Sequence, residues 1–476
     1  MKKTKHILLF AVALWTGLSS CSNWLDIDPK DSVTDDKLSE TGEGYRIKLN
    51  GVYAQMAQSN LYGQNMTWGF ADMLGLMYNP NASRPGNAFY EIAHYNYIKN
   101  TVKSYIQSIW SDAYNSIANC NSIIQRIEEE PADKFLRRED EKNMIWGEAL
   151  ALRACLHFDL LRLFAPAPNT PNDDGKAHLP YVKVFPTVFQ AYETNQEFLQ
   201  HTINDLLEAK ALLASYDTLD LDYMRTETRI EGYKAPVNDL FFYYRGYRMN
   251  YYAICALLAR VYNYAGMHKE AYDEADIVIS AEFSTQNLFR FTPSYQLMDY
   301  YGKTKFYDEV IFCLSNTELW QTYEPFYNGD NKLYLNGSKA DIFDDNSDTR
   351  GTPTIISGSR CQSTKYLSNS GSNNKYQVDM IPMIRLGEMY FIQAEYWHSL
   401  NNDEEAIKTL DKVRVGHSCA SGRITGDFTD NLLKEASREF IGEGQLFYYH
   451  KKLNRLTSTM KSAEQFVLPT PDNEDI

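Results

Sequence analysis

The chain has 476 residues, of which 44% are hydrophobic and 23% charged, and 47 Lys and Arg set against 62 Asp and Glu leave a formal net charge of −15. An acidic surface repels nucleic acid and anionic membranes, which excludes both as main partners, while the hydrophobic content is ample for a large core. Aromatic residues number 35 Tyr, 23 Phe and 7 Trp, more than a core alone usually takes up.

In chain order, residues 1–20 read as a bacterial export leader. Lys2, Lys3 and Lys5 precede the apolar run Ile7–Trp15, which is too short to span a bilayer. Leu18, Ser19, Ser20 and Cys21 follow, and this order resembles the lipobox of bacterial lipoproteins. The resemblance implies cleavage before Cys21 and lipidation of that cysteine; the alternative is an ordinary secretory leader with a chance Cys. Residues 21–40, with WLDIDPKD among them, are polar and acidic and read as a lipidated tether, which leaves 41–476 as one domain. Six cysteines remain (Cys120, Cys155, Cys255, Cys313, Cys361 and Cys419), with no CxxC and no short Cys/His cluster. No zinc site is readable from them, and their spacing implies no disulfide pairing.

A helix is predicted from near Gly42 through Val52 and Tyr53. Residues 62–88 lose helical periodicity, with Gly, Pro and Asn clustered around Trp68, Tyr78 and Arg84, which is loop chemistry. Ser108–Ile127 is helical, with Ile109, Ala113, Ile117, Cys120 and Ile124 on one face. Met144–Phe164 carries two apolar stripes, Ile145-Ala149-Leu152-Leu156-Leu160-Leu163 and Leu150-Ala154-Phe158-Leu161, and so needs neighbours on both sides. Its polar residues Glu148, Arg153, His157, Asp159 and Arg162 must lie in a narrow band or pair with one another. Ala165-Pro166-Ala167-Pro168 stops that helix, residues 169–177 are a loop, and Asn195–Ser215 is again amphipathic.

Two later stretches share an internal form. In 251–280 a helix through Ile254, Leu257, Leu258, Val261 and Tyr262 turns at Ala265-Gly266 into a second through Ala271, Ala275 and Val278. In 384–415, Leu386, Met389, Ile392 and Tyr396 precede a turn at 400–403, with Asn402 a predicted N-cap, then Ala406, Leu410 and Val413. Each looks like a tetratricopeptide helix pair, but Tyr262 and Tyr396 are 134 residues apart, so the array is interrupted. Residues 281–381 between them are the least helical; Glu309–Leu314 is a predicted short strand, and Leu319–Tyr327 begins a loop-rich run. The predicted fold is mainly α, with tetratricopeptide-like pairs as a scaffold and a loop-rich face holding a few short strands.

Several blocks resemble one family, the SusD/RagB-like outer-membrane lipoproteins of Bacteroidota. They are the lipobox with WLDIDP, Trp110–Ile124, the run GEALALRACLHFDLLRLFAPAP, the pair MIRLGEMYFIQAEYWHSLN…EAIKTLDKVR, Arg438–Leu453 as a last helix, and Phe466–Glu474 as the tail. Commoner members have Arg and Asp where Leu446 and Tyr449 stand. The resemblance implies a surface-exposed binding protein on a SusC-like TonB-dependent barrel transporter. Such a protein is held to the outer membrane by lipid alone and captures glycans or, in some members, peptides; a third role is that of a structural lid.

No HExxH, Walker loop or GxGxxG occurs. Residues 416–420 approach a nucleophile elbow but lack its last Gly and its strand, so no catalytic residue and no enzyme is expected. Asp344, Asn346 and Asp348 have calcium-loop spacing, but Thr349 and Ile355 stand where Gly and Glu are needed; a turn held by Asp348 and Arg350 is the expected alternative, with no metal or cofactor. A sugar ring offers an apolar C–H face and a hydroxyl rim, so it wants flat aromatic surface edged by polar groups. Trp68, Tyr78 and Arg84 fit that description, as do Trp320, Tyr323 and Tyr327. The competing reading is that these rings pack loops onto the scaffold.

Overall fold

The structure, a computed structural model, describes residues 35–219, 239, 241–242, 245–297, 304–368, 378–472 and 474. The leader, Cys21 and the tether up to residue 34 lie outside the described residues. Helix α1 (Asp35–Leu38) is already docked. Lys48 pairs with Asp35 at 2.8 Å, the Ser122 hydroxyl donates to Asp35 at 2.6 Å, and Arg126 pairs with Asp36 at 2.7 Å. The fold therefore begins by residue 35, earlier than the acidic composition of 21–40 implies.

Helix α2 (Gly42–Met56) starts where the Thr41 side chain accepts from the Gly44 N–H, and it buries Tyr45, Leu49, Val52 and Met56 on one stripe. After the short α3 (Phe70–Leu74) and α4 (Ala88–Ala93) come the two longest helices, α5 (Asn100–Ile127) and α6 (Arg138–Phe164). Both begin earlier than predicted. In α5, Val102 and Ile106 extend the buried stripe by two turns; in α6, Glu139, Asp140 and Glu141 occupy the first turn, where carboxylates favour the positive end of the helix dipole. Strands β1 (Ala177–Pro180) and β2 (Tyr192–Thr194) pair antiparallel and lead into α7 (Asn195–Asp217), which opens with a Thr194/Glu197 capping box. Then come the pair α8 (Tyr251–Tyr264) and α9 (His268–Ile279), the two-residue strands β3 (Glu282–Phe283) and β4 (Gln286–Asn287), and α10 (Ser294–Leu297).

The interrupted array is continuous in space. Helix α2 packs on α5, α5 on α6, α6 on α7, α7 on α8 and α8 on α9. Helix α9 then packs directly on α13 (Leu386–Ser399), which pairs with α14 (Asp403–Gly416). Ala271, Ala275 and Ala406 are fully buried where these helices meet, and their small size permits close approach. The predicted N-cap is in place, with Asn402 accepting from the Glu405 N–H. The stretch 281–381 is thus an excursion out of a stack that closes behind it. Its neck is an antiparallel pair: β5 (Val310–Ser315) runs beside β8 (Met380–Arg385), from Val310 opposite Arg385 to Ser315 opposite Met380, with the register irregular around Phe312. The excursion also holds α11 (Leu319–Asn328), α12 (Lys339–Ile342) and the hairpin β6 (Thr354–Ser357) and β7 (Arg360–Ser363). Helix α11 corrects the sequence reading, which ran Leu319–Tyr327 into a loop.

A second correction falls at the C-terminal end. The expected single helix over Arg438–Leu453 is two, α15 (Phe428–Glu439) and α16 (Leu446–Lys452). Between them Gly442 and Gly444 adopt φ of +79° and +72°, which side chains resist. Their N–H groups donate to the two oxygens of buried Asp72, at 2.9 and 2.8 Å. Those donors are spent on a carboxylate rather than on a helix.

The buried polar residues of α6 pair mostly outward. Glu148 meets Arg245 and Arg248, and Arg245 also holds Asp217 at 2.7 Å. Arg153 grips Asp205 through two bonds of 2.7 and 2.8 Å. Among these side chains only Asp159 and Arg162 form an ion pair with each other. A larger ionic cluster lies at the neck. Arg385 contacts Glu309 at 3.0 Å, Glu439 at 2.7 Å and Glu443 at 2.7 Å, and Lys365 also meets Glu443. Arg350 binds Asp348, Glu435 and Glu439, and His417 lies 3.2 Å from Glu439.

Two predictions follow from these buried groups. Replacing Arg385 by Met strips the shared partner from three buried glutamates, a change worth about 3–5 kcal/mol of stability; a urea-unfolding shift below about 1 kcal/mol would refute the clamp. The second concerns His157, whose Nδ1 donates to the Arg153 carbonyl at 3.0 Å while its Nε2 accepts from the Val182 N–H at 3.0 Å. Burial, reinforced by the Arg153 charge, holds this imidazole well below its ordinary range. A depressed histidine contributes its full stability above the unfolded value near 6.5 and loses it as pH falls. The expected slope below that point is at most about 1.4 kcal/mol per pH unit. His157→Gln should flatten that part of the profile, and an unchanged slope would show that the ring takes up its proton in the folded state.

Candidate ligand-binding site

The two aromatic groups singled out in the sequence meet, but most of their rings face inward. Trp68 is fully buried, its indole N–H donates to the Gly63 carbonyl at 2.9 Å, and its ring meets Tyr323 edge-on with centroids 5.0 Å apart. Phe326 packs on the same indole at 5.4 Å and on Phe89 at 5.3 Å. Tyr323 is buried too, and its hydroxyl donates to the Ser363 carbonyl at 2.9 Å. Tyr78 is buried in an antiparallel bridge to Leu335. In this conformation Trp68, Tyr78 and Tyr323 offer no face to a ligand. They weld the 57–88 segment to α11, the packing role that competed with the binding one.

What remains open is the rim. Arg84 is exposed, and Trp320 and Tyr327 are half-buried. The latter two sit seven residues apart on α11, near one edge of the face that buries Leu319 and Tyr323, which places them about 10 Å apart along the axis. The Asn79 N–H donates to the Tyr334 carbonyl at 2.9 Å, Leu335 N–H to Cys361 carbonyl at 2.9 Å, and the Asn87 and Asn331 side chains bond at 3.2 Å. Gln362 donates to the Tyr327 carbonyl at 3.2 Å. Residues 78–87, 327–336 and the β6–β7 hairpin therefore form one surface. Tyr334, half-buried under the Arg360 guanidinium at 4.9 Å, belongs to this rim and escaped the sequence reading. Its signal was present in the alternation Lys332-Leu333-Tyr334-Leu335-Asn336, in which Leu333 and Leu335 point inward.

A second aromatic groove, of about 470 Å³, runs between α5 and residues 180–192. Trp110, Tyr114, Phe189, Gln190 and Tyr192 line part of it, and Val188 and Phe189 are 59% and 77% exposed.

The chemistry weighed from sequence finds other uses in the fold. The elbow-like residues 416–420 follow the end of α14 rather than a strand. Asp344 is paired with Arg414 and Arg438, both at 2.9 Å, and Asp348 receives two bonds from Arg350, at 2.9 and 2.7 Å. Among the described residues, Glu309, His417 and Glu439 bring ligand atoms within 4.8 Å of one another. Arg385 already bridges both glutamates, and Arg350 reaches Glu439, so this is the interior of the ionic cluster.

The fold and the rim define a class: a tetratricopeptide-like helical scaffold carrying a loop-built face. Residues 23–227 match the SusD-like family described as "Starch-binding associating with outer membrane", and residues 219–449 match the SusD family. The chain belongs to the SusD/RagB-like family. A SusD-like protein of Formosa agariphila is 22% identical, over 97% of this chain and 94% of its own. A SusD superfamily protein from Bacteroides thetaiotaomicron shares the fold with a TM-score of 0.68 at 23% identity, over 91% of this chain and 97% of that one. A laminarin-binding SusD-like protein does so with a TM-score of 0.61 at 16% identity, over 91% and 96%. Among the described residues no helix is long and apolar enough to cross a membrane.

The placement of the rings separates their roles experimentally. Trp68→Ala empties a fully buried site and should cost about 3–5 kcal/mol, whereas Trp320→Ala should stay within about 1 kcal/mol. Equal losses in thermal unfolding would mean that Trp320 is part of the core.

Proposed function

We propose that this protein is a glycan-binding lipoprotein of the outer membrane. It captures oligosaccharide or polysaccharide at the cell exterior and delivers it to a SusC-like TonB-dependent transporter. The observation that carries the reading is the rim itself. Half-buried Tyr327 and Tyr334 lie in the same surface as Asn79, Asn328 and Asn331, with half-buried Trp320 two turns away on α11, over a backing of buried aromatics. Flat apolar surface edged by amides is what a sugar ring can stack on and bond to. Family membership supports the reading, as does the fold shared with a laminarin-binding relative. In the same proposal the leader 1–20 is removed and Cys21 carries the acyl chains. Each buried methylene then contributes about 0.8 kcal/mol of membrane affinity. Residues 21–34 are the tether, and the rest folds as one domain.

A second reading is favoured by the exposed Val188 and Phe189 beside the α5 groove. In it the protein serves mainly as a lid, and this apolar loop touches the barrel.

A glycan array with the mature chain, followed by Trp320→Ala and Tyr327→Ala, tests the first reading. Each loss of a stacking face should weaken retention about tenfold with the fold unchanged by circular dichroism; retention unaffected by both would remove α11 from the site. Phe189→Ala should leave glycan retention alone and reduce co-purification with a barrel protein if the lid contact exists. Cys21→Ala should abolish labelling by a fatty-acid probe.

A further inference from the structure

Resting on the glycan reading, we infer that this face takes an anionic polysaccharide, one whose sugars carry carboxylate or sulfate groups. The first observation is a charge asymmetry in the segments that build the face. Residues 78–87, 327–336 and 354–363 contain one acid, Asp330, although at the chain's ratio of 62 in 476 those 30 residues would hold about four. The same segments carry Arg84, Lys332 and Arg360, with Lys339, Arg350 and Lys365 close by in sequence.

The second observation is which of these cations are free. Arg350 and Lys365 are buried and spent on Asp348, Glu435, Glu439 and Glu443, and Lys339 donates to the Thr354 carbonyl. Arg84 and Arg360 are exposed and Lys332 is half-buried. Among the described residues no carboxylate pairs with any of the three. Elsewhere many surface cations do find one: Lys103 with Asp472, Lys269 with Asp273, Lys408 with Glu405. Four acids border the face: Glu91 accepts from Gly86 and Asn96, Asp341 holds the Ser338 capping box, Glu324 accepts from Asn328, and Asp330 lies on the turn. Neutral donors orient such carboxylates without cancelling their charge, so the cations stand out only where they are nearer a ligand than these acids are.

The third observation is geometric. Outward positions alternate along 332, 334 and 336, so Lys332 shares a side with Tyr334. The Arg360 guanidinium lies over that Tyr, 4.9 Å from the ring centroid. A guanidinium carries the N–H fork that matches carboxylate and sulfate oxygens. A neutral sugar presents hydroxyls, for which ionised carboxylates are strong acceptors, and the three segments offer only Asp330. The acidic bulk of the protein does not cancel the patch, because charges more than about 8 Å away are screened at physiological salt. It does disfavour indiscriminate polyanion binding, so retention of an acidic glycan reports on the patch.

The test uses matched probes with the mature chain: polygalacturonate against its methyl ester, and dextran sulfate against dextran, with the array hits sorted by charge. The expected result is about tenfold stronger retention of the charged member of a pair, weakening as salt rises, or array hits confined to acidic glycans. The triple variant Arg84→Gln, Lys332→Gln, Arg360→Gln should abolish the difference, while Lys269→Gln on α9 leaves it intact. Hits confined to neutral glycans, or equal, salt-insensitive retention within both pairs, would overturn the anionic assignment and leave the glycan reading standing. An array with no hit of either charge sinks the glycan reading itself, and this inference with it.

Discussion

Arg385 is the group on which the arrangement of the whole molecule turns. It stands at the end of β8, where the excursion rejoins the helical stack, and it contacts Glu309 before β5, Glu439 in α15 and Glu443 in the glycine turn. One guanidinium thus ties the entrance of the excursion, its exit and the C-terminal helices. Burying so many charges costs desolvation that their mutual attraction only roughly offsets, so the cluster is a poor source of net stability. It is a good source of register, since each carboxylate accepts only a partner that arrives at the right place. Burial opposes ionising Glu439, yet the Arg385 and His417 charges beside it outweigh that and hold its carboxyl well below the usual range. Asp72 extends the arrangement by capturing Gly442 and Gly444, which fastens the segment beneath Trp68 to the same turn.

The helical scaffold was legible because its signal is periodic and local. The stripes of Met144–Phe164 and the two tetratricopeptide-like pairs needed only spacing. What spacing could not carry was adjacency. The pairs at 251–280 and 384–415 look separated in the chain, and only the folded β5–β8 neck shows that α9 packs on α13. The split of α15 from α16 was written in Gly442 and Gly444, but apolar residues on both sides kept helical spacing and masked it. Helix α11 was missed for the opposite reason: Pro325 and the glycine-rich run after it read as loop, although a proline this near the helix end leaves most of its hydrogen bonds intact.

The two aromatic groups that the sequence singles out do meet in the fold, yet the letters for an inward and an outward ring are the same. Trp68 is inside because its N–H finds the Gly63 carbonyl five residues back and its ring meets Tyr323 edge-on, the second a contact between residues 255 positions apart. Tyr334 stands apart from the aromatic clusters, and only the period-two pattern around it marks it as outward.

The buried rings still bear on binding, though they touch no ligand. A side chain that must be ordered when a ligand arrives costs about 0.5–1.5 kcal/mol, and a loop costs more. Here Trp68, Phe326 and Tyr323 fix α11 against the 57–88 segment before any ligand is present. The bridge from Tyr78 to Leu335 and the bond from Leu335 to Cys361 fix the other two segments to them. Trp320 and Tyr327 are then carried on a helix rather than on a free loop, at a spacing set by helical rise. A face built this way holds Trp320 and Tyr327 in place without a ligand. Part of the aromatic surplus thus lies beneath α11, where Trp68, Tyr323, Phe326 and Phe89 hold it still.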